Sequence, residues 1–195
     1  MNKQVDARGL SCPRPVIETK KILDQIGEGN VTTIVDNEIA VENVTKLAKS
    51  MAFDVKVKEI EGNYYIDIYK NMENNEIHLN NNRKKDLVIL FGSESMGEGS
   101  KELGQVLMKG FIYTLTENKP YPKALLFVNS GVKLTTEGSE AIDYLRQLES
   151  EGVEVLSCGT CLDYFSLKNK LVVGGVTNMY TIVEKINGAK NTIRI

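Results

Sequence analysis

The chain has 195 residues, of which 42% are apolar and 26% charged, and its formal net charge is −2. This is the balance of a globular protein. It argues against a nucleic-acid binder, which carries a basic excess, and no apolar run nears the ~20 residues that a membrane span needs. The opening MNKQVDARG has no apolar signal-peptide core, so a cytoplasmic protein is expected.

The first elements follow from hydrophobic periodicity. A short strand is expected at Lys3 to Ala7 and a helix from Pro13 to about Ile26, with Val16, Thr19, Ile22, Leu23 and Ile26 on one stripe. VTTIVD (31–36) reads as a strand, and Ala40 to Met51 as a second helix. DVKVKEI and YYIDIYK alternate about Gly62-Asn63, which predicts a hairpin. The order βαβαββ implies a two-layer α/β sandwich, with helices on one face of a four-stranded sheet.

Cys12 lies in LSCPRPVIETKKIL, at the mouth of the first helix. Proline is best tolerated in a first helical turn. Pro13 is therefore expected at the first helical position, Pro15 in the same turn and Cys12 at or near the cap. Free amide N–H groups would then face the sulfur and favour thiolate over thiol, with Arg14 nearby. The alternative is a buried structural cysteine, and the local pattern leaves both open. A serine or aspartate would cap better, so helix stability does not explain the cysteine.

ARGLSCPRPVIETKKIL, with Asp6 just before it, resembles the signature of the TusA/SirA family, which is built on a Cys-Pro-x-Pro motif. The motif here is Cys12, Pro13, Arg14 and Pro15, preceded by Gly9 and Leu10, and the resemblance covers about residues 4 to 70. It implies that Cys12 accepts sulfur as a persulfide and relays it between proteins, with Asp6 and Gly9 as structural neighbours.

Residues 71–85, NMENNEIHLNNNRKK, form the best linker candidate and contain the lone histidine, His78. The expected division is thus residues 1–70, a linker over 71–85, and residues 86–195. A coil of that length spans on the order of 20 Å, enough for one domain to reach the other.

The second piece alternates strands at 86–92, 124–129, 153–157, 171–175 and 191–195 with helices at about 100–117, 136–151 and 179–186. One more short helix is expected within 159–169. This predicts a three-layer αβα domain on a mostly parallel five-stranded sheet. Its ligand edge, past the strand C-termini, would collect Gly92 to Gly99, Asn129 to Val132, Cys158 to Cys161 and Asn178. GSESMGEGS (92–100) is not a nucleotide phosphate loop, because Glu98 stands where lysine is required.

Three cysteines do not make a secreted disulfide framework. SCGTCLDYF places Cys158 and Cys161 three apart just past a strand. That spacing suggests a redox dithiol or half of a metal site, and no second CxxC exists to complete a closed zinc site. No metal or organic cofactor is expected. The two cysteines could also simply pack beneath the sheet edge. GVKLTTEGSEAIDYLRQLESEGVEVLSCGTCLDYF and LVVGGVTNMY resemble the DsrE-like superfamily, which implies sulfur relay and a homo-oligomer. A TusA-like domain fused to a DsrE-like one is similar to YedF-type proteins, which implies a link to selenium metabolism. The combined expectation is a sulfurtransferase-like relay. Cys12 takes sulfur or selenium from a donor protein such as a cysteine desulfurase and passes it to an acceptor protein, with Cys158/Cys161 as a second thiol site. No nucleic acid or membrane is involved. The rival readings are a non-catalytic regulatory or partner-binding module and a thiol-disulfide sensor.

Overall fold

The structure, a computed structural model, describes residues 2–70 and 85–195. The chain divides into two compact units, Met1–Asn80 and Asn81–Ile195. His78 and all but the last residue of the expected linker lie outside the described residues. Among the described residues no helix is long and apolar enough to cross a membrane.

The first unit runs β1 (Asn2–Asp6), α1 (Arg14–Gln25), β2 (Gly29–Val35), α2 (Glu38–Ser50), β3 (Asp54–Ile60) and β4 (Asn63–Lys70). Its sheet order is β1-β2-β4-β3, with β1 parallel to β2 and the other pairs antiparallel. Strand alternation turns Val5, Val31, Val35, Ile66 and Ile68 to one face. There they meet Leu23 and Ile26 from the α1 end and Ala40, Val44 and Ala48 of α2. The result is the two-layer sandwich that the βαβαββ order implies.

One charged side chain belongs to this core. Lys70 ends β4 and is only 8% exposed. Its Nζ donates to the carbonyls of Leu23 at 2.8 Å and Ile26 at 2.7 Å, at the end of α1. A helix C-terminus leaves carbonyls without helical partners, and a cation there also meets the negative end of the helix dipole. Lys70 thereby ties the last strand to the first helix.

The second unit runs β5 (Lys85–Phe91), α3 (Lys101–Glu117), β6 (Pro122–Phe127), a 3-10 segment (Asn129–Thr135), α4 (Ile142–Ser150), β7 (Glu154–Cys158), α5 (Gly159–Tyr164), β8 (Gly175–Thr177), α6 (Met179–Asn187) and β9 (Asn191–Arg194). A second 3-10 turn, Lys168–Lys170, precedes β8. All five strands are parallel, in the order β8-β7-β6-β5-β9. Ile89, Phe91, Leu125, Phe127 and Val155 point to one face, against Met108 and Ile112 of α3 and Leu145 and Leu148 of α4. Val88, Ala124, Leu126 and Cys158 point to the other, against Ile182 of α6. Both faces are covered, the arrangement that parallel sheets require.

Two boundaries depart most from the sequence expectation. The strand placed at 171–175 begins only at Gly175, because Gly174 has φ +77° and lies against the backbone of Val155, where an added Cβ would be 2.4 Å from the carbonyl oxygen. The helix placed at 136–151 begins at Ile142. Residues 129–135 coil as a 3-10 segment first, and Gly138, at φ +87°, turns the chain before the helix starts.

Replacing Lys70 with methionine keeps the apolar stem and removes the ammonium donor from the Leu23 and Ile26 carbonyls. The expected loss, by urea unfolding, is about 1–3 kcal/mol, with α1 fraying first in amide exchange.

Candidate functional site

The loop carrying Cys12 is fixed at its start. The Ala7 N–H donates to the Ile34 carbonyl at 2.9 Å and so prolongs the β1–β2 ladder by one residue. Arg8 folds back on Asp6, its guanidinium reaching both carboxylate oxygens at 2.9 and 2.6 Å. The hydrogen bonds from Arg8 draw the Asp6 carboxyl down to about 2. Gly9 then takes φ +70°, a left-handed turn that suits glycine, and its N–H donates to the Asp36 carboxylate at 2.7 Å. That bond, followed by one from the Asn37 side chain, lowers the Asp36 pKa. Asp6 and Gly9 thus shape the approach to Cys12.

Pro13 is the residue that caps α1, not its first helical residue. The helix starts at Arg14 with Pro15 in its first turn. The Cys12–Pro13 peptide is cis. Pro15 is buried, and its carbonyl accepts the Thr19 hydroxyl at 2.7 Å; Thr19 in turn shares a hydrogen bond with Thr33 of β2 at 2.9 Å. This buried pair holds the start of α1 on the sheet.

The first-turn amides do not serve the sulfur as expected. The Arg14 N–H donates to the Ser11 carbonyl, the Val16 and Ile17 N–H groups donate to the Pro13 carbonyl, and Pro15 has no N–H. Local turn closure consumes the donors that an open helix mouth would offer. Among the described residues no hydrogen bond or ion pair joins the Arg14 guanidinium to Cys12. The donor that reaches Cys12 Sγ is the side-chain amide of Asn43, from α2, at 3.8 Å.

Cys12 is exposed. It opens on a cavity of about 200 Å³ between the starts of the two helices. Leu10, Pro15 and Val16 form one wall, and Ile39 and Ala40 of α2 the other, with Ser11, Asn37 and Asn43 as the polar groups beside Cys12. Asn37 also caps α2, accepting the Ala40 N–H at 2.9 Å. Ile39, 69% exposed, stands at the rim. This space is smaller than the roughly 300–1,000 Å³ of small-molecule pockets. It has the size and polarity to take one side chain of a partner protein beside the thiol.

The second pair of cysteines sits where β7 ends. Cys158 is the last residue of β7 and caps α5, and Cys161 is the third residue of that helix. The residues after β5, β6 and β7 share the C-terminal edge of the parallel sheet, as expected from the strand order. Asn129, just past β6, donates its backbone N–H to Cys161 Sγ at 3.1 Å. Burial pushes the Cys161 thiol up, its hydrogen bond with Cys158 adds to the rise, and the Asn129 amide opposes it. All three cysteines are free thiols. Among the described residues no cluster of three or more histidine, cysteine, aspartate or glutamate side chains could hold a metal ion.

Sequence reasoning missed Asp36 and Asn43, and it placed Asn129 at the ligand edge of the sheet without a contact to Cys161. Asp36-Asn37 after a strand was readable as a turn-and-cap signal. Asn43 was a polar interruption between Val41 and Val44 of an amphipathic helix. Asn129 acts through its backbone, which carries no residue-type signal.

Residues 3–70 match the protein family described as sulfurtransferase TusA. A provisionally named sulfur carrier protein of Methanocaldococcus jannaschii is 36% identical over 70 residues, 35% of this chain and 93% of that protein. The provisionally named sulfur carrier protein YrkI of Bacillus subtilis is 31% identical over 62 residues, 31% of this chain and 83% of that protein. Among solved structures, a SirA-like protein of Desulfitobacterium hafniense is 36% identical, covering 34% of this chain and 95% of its own, at a TM-score of 0.34. The ychN protein of E. coli is 16% identical, covering 57% of this chain and 99% of its own, at a TM-score of 0.45.

The Asp36 carboxylate is charged below its unfolded pKa of about 3.9. Its grip on Gly9 is complete above that value and is lost as pH falls through the lowered folded pKa. The stability difference between the wild type and Asp36→Ala, followed by denaturant unfolding, should therefore be constant near neutrality and shrink steadily below about pH 4.

Proposed function

The chain belongs to the TusA sulfurtransferase family through residues 3–70, and from that premise we propose that Cys12 carries sulfur as a persulfide between a donor protein and an acceptor protein. The observation that carries this reading is the position of Cys12: exposed, beside a cavity of side-chain size, with one amide donor on its sulfur. A thiolate at Cys12 attacks the outer sulfur of a donor persulfide, and the donor's inner sulfur leaves as a thiolate. Delivery is the reverse step with an acceptor thiolate as attacker. The Asn43 amide is placed to donate to whichever sulfur carries the negative charge. Selenium in place of the outer sulfur follows the same electron count. Gly9, Pro13 and Pro15 hold the loop, Asp6 sets its turn with Arg8, and Arg14 faces solvent toward an incoming partner.

The second unit is read as a DsrE-like domain, the fusion as YedF-type, and Cys158/Cys161 as a second thiol site. A parallel five-stranded sheet with two cysteines on its C-terminal edge supports this. The exposed apolar row Leu103, Val106 and Leu107 on α3 supports self-association through this unit.

In a chain already carrying Cys161→Ser, adding Cys12→Ser should abolish uptake of one sulfur or selenium atom from a cysteine desulfurase charged with substrate, read by intact mass. Normal uptake by that variant rejects the role of Cys12. Ile39→Asp places a charge on the apolar rim. It should slow loading from the protein donor roughly tenfold, about 1.4 kcal/mol, and slow loading from a small persulfide less. Equal slowing of both would contradict a protein-docking role for this rim.

A further inference from the structure

The two C-terminal cysteines occupy unequal positions. Cys158 is 3% exposed and packs among Val88, Ala124, Leu126 and Ile182, between the sheet and α6. Cys161 is partly exposed and borders both cores of the unit. Cys161 packs against the apolar cluster that contains Cys158, and the two are one helical turn apart at the start of α5. A donor reaches Cys161 alone: the Asn129 N–H, 3.1 Å from its sulfur. Asn129 has φ +50°, a left-handed conformation that is uncommon outside glycine, and such outliers gather at functional sites.

From this asymmetry we propose that Cys161 is the thiol that receives sulfur and Cys158 the thiol that resolves it, so that the pair releases the cargo as hydrogen sulfide. The proposal rests on reading the pair as a second thiol site and does not depend on Cys12. An incoming persulfide can reach Cys161 but not Cys158. Cys161 takes the outer sulfur, and the donor departs as a thiol. The Cys158 thiolate then attacks Sγ of Cys161 from the buried side. Displacement at sulfur is in line, so the leaving group departs on the opposite, solvent-facing side. A Cys158–Cys161 bond forms, the Cys161–outer sulfur bond breaks, and HS⁻ carries away the electron pair. The cargo sulfur is reduced by two electrons, and the two cysteines are oxidised to a disulfide. Two equivalents of a low-molecular-weight thiol restore the dithiol and leave as their own disulfide. Attack on the outer sulfur would only move the persulfide onto Cys158, and the buried position of Cys158 behind Cys161 favours attack at the inner sulfur instead. Outer selenium would leave as selenide by the same displacement.

The test uses the full chain carrying Cys12→Ser and glutathione persulfide as the sulfur source. Expected are about one equivalent of sulfide per chain and a disulfide mapped by peptide mass to Cys158 and Cys161. Adding Cys158→Ala should trap the persulfide on Cys161 and slow sulfide release at least about tenfold. Adding Cys161→Ser should prevent loading of Cys158. Stable persulfide on the intact pair, undiminished release from Cys158→Ala, or loading of Cys158 without Cys161 overturns the proposal. The disulfide map of the intact pair needs no core substitution, so a misfolded Cys158→Ala variant does not decide the matter. Failure of the pair to take up any sulfur overturns the second-thiol-site reading as well, whereas uptake without release overturns only the resolving step.

Discussion

The hydrogen bond from the Gly9 amide to the Asp36 carboxylate is the constraint on which the first thiol site depends. β1 and β2 are parallel neighbours, so the loops leaving their C-terminal ends emerge side by side. Gly9 belongs to one loop and Asp36 to the other. Their bond ties the segment leading to Cys12 to the segment leading into α2, which carries Asn37, Ile39 and Asn43. The cavity and the sulfur's amide donor lie between the two segments so tied. A charged acceptor makes such a bond stronger than a neutral one, and the glycine is needed because the turn has positive φ.

The two thiol sites solve different problems with different surroundings. Cys12 is held open, at the junction of two helix starts, with apolar walls on either side. A carrier must expose its sulfur to two partners in turn and must not resolve the persulfide itself, and no second cysteine stands among the residues lining that cavity. Cys158 and Cys161 are arranged in the opposite way. One is sheltered and one is reachable, and the reachable one packs against the apolar cluster that holds the other. A persulfide formed there has a nucleophile behind it. The proposed carrying and release steps rest on this contrast between an open single thiol and a sheltered pair.

Each site is also supported from beneath by polar groups inside apolar layers. Thr19 and Thr33 fasten the start of α1 to β2, and Lys70 fastens its end to β4. In the second unit Thr135 and Ser157 share a buried hydrogen bond at 2.8 Å, joining the 3-10 segment after β6 to the strand that ends in Cys158. Buried polar groups of this kind are favourable only when partnered, so they restrict each element to one position.

Much of this was readable from residue order. Alternating and helical periodicity located the strands and most helices, because burial on one face imposes a period that survives in the chain. The Cys-Pro-x-Pro segment and the CxxC spacing marked the reactive candidates for the same local reason. The environment of each sulfur was not readable. The supposed open helix mouth is closed by the carbonyls of Ser11 and Pro13, and the group that reaches Cys12 comes from Asn43, thirty-one residues away. Cys158 and Cys161 look equivalent in the string, yet the packing of α6 covers one and the turn at Asn129 serves the other. Periodicity and motif are properties of neighbours along the chain, whereas hydrogen-bond partners and solvent access depend on segments that only folding brings together.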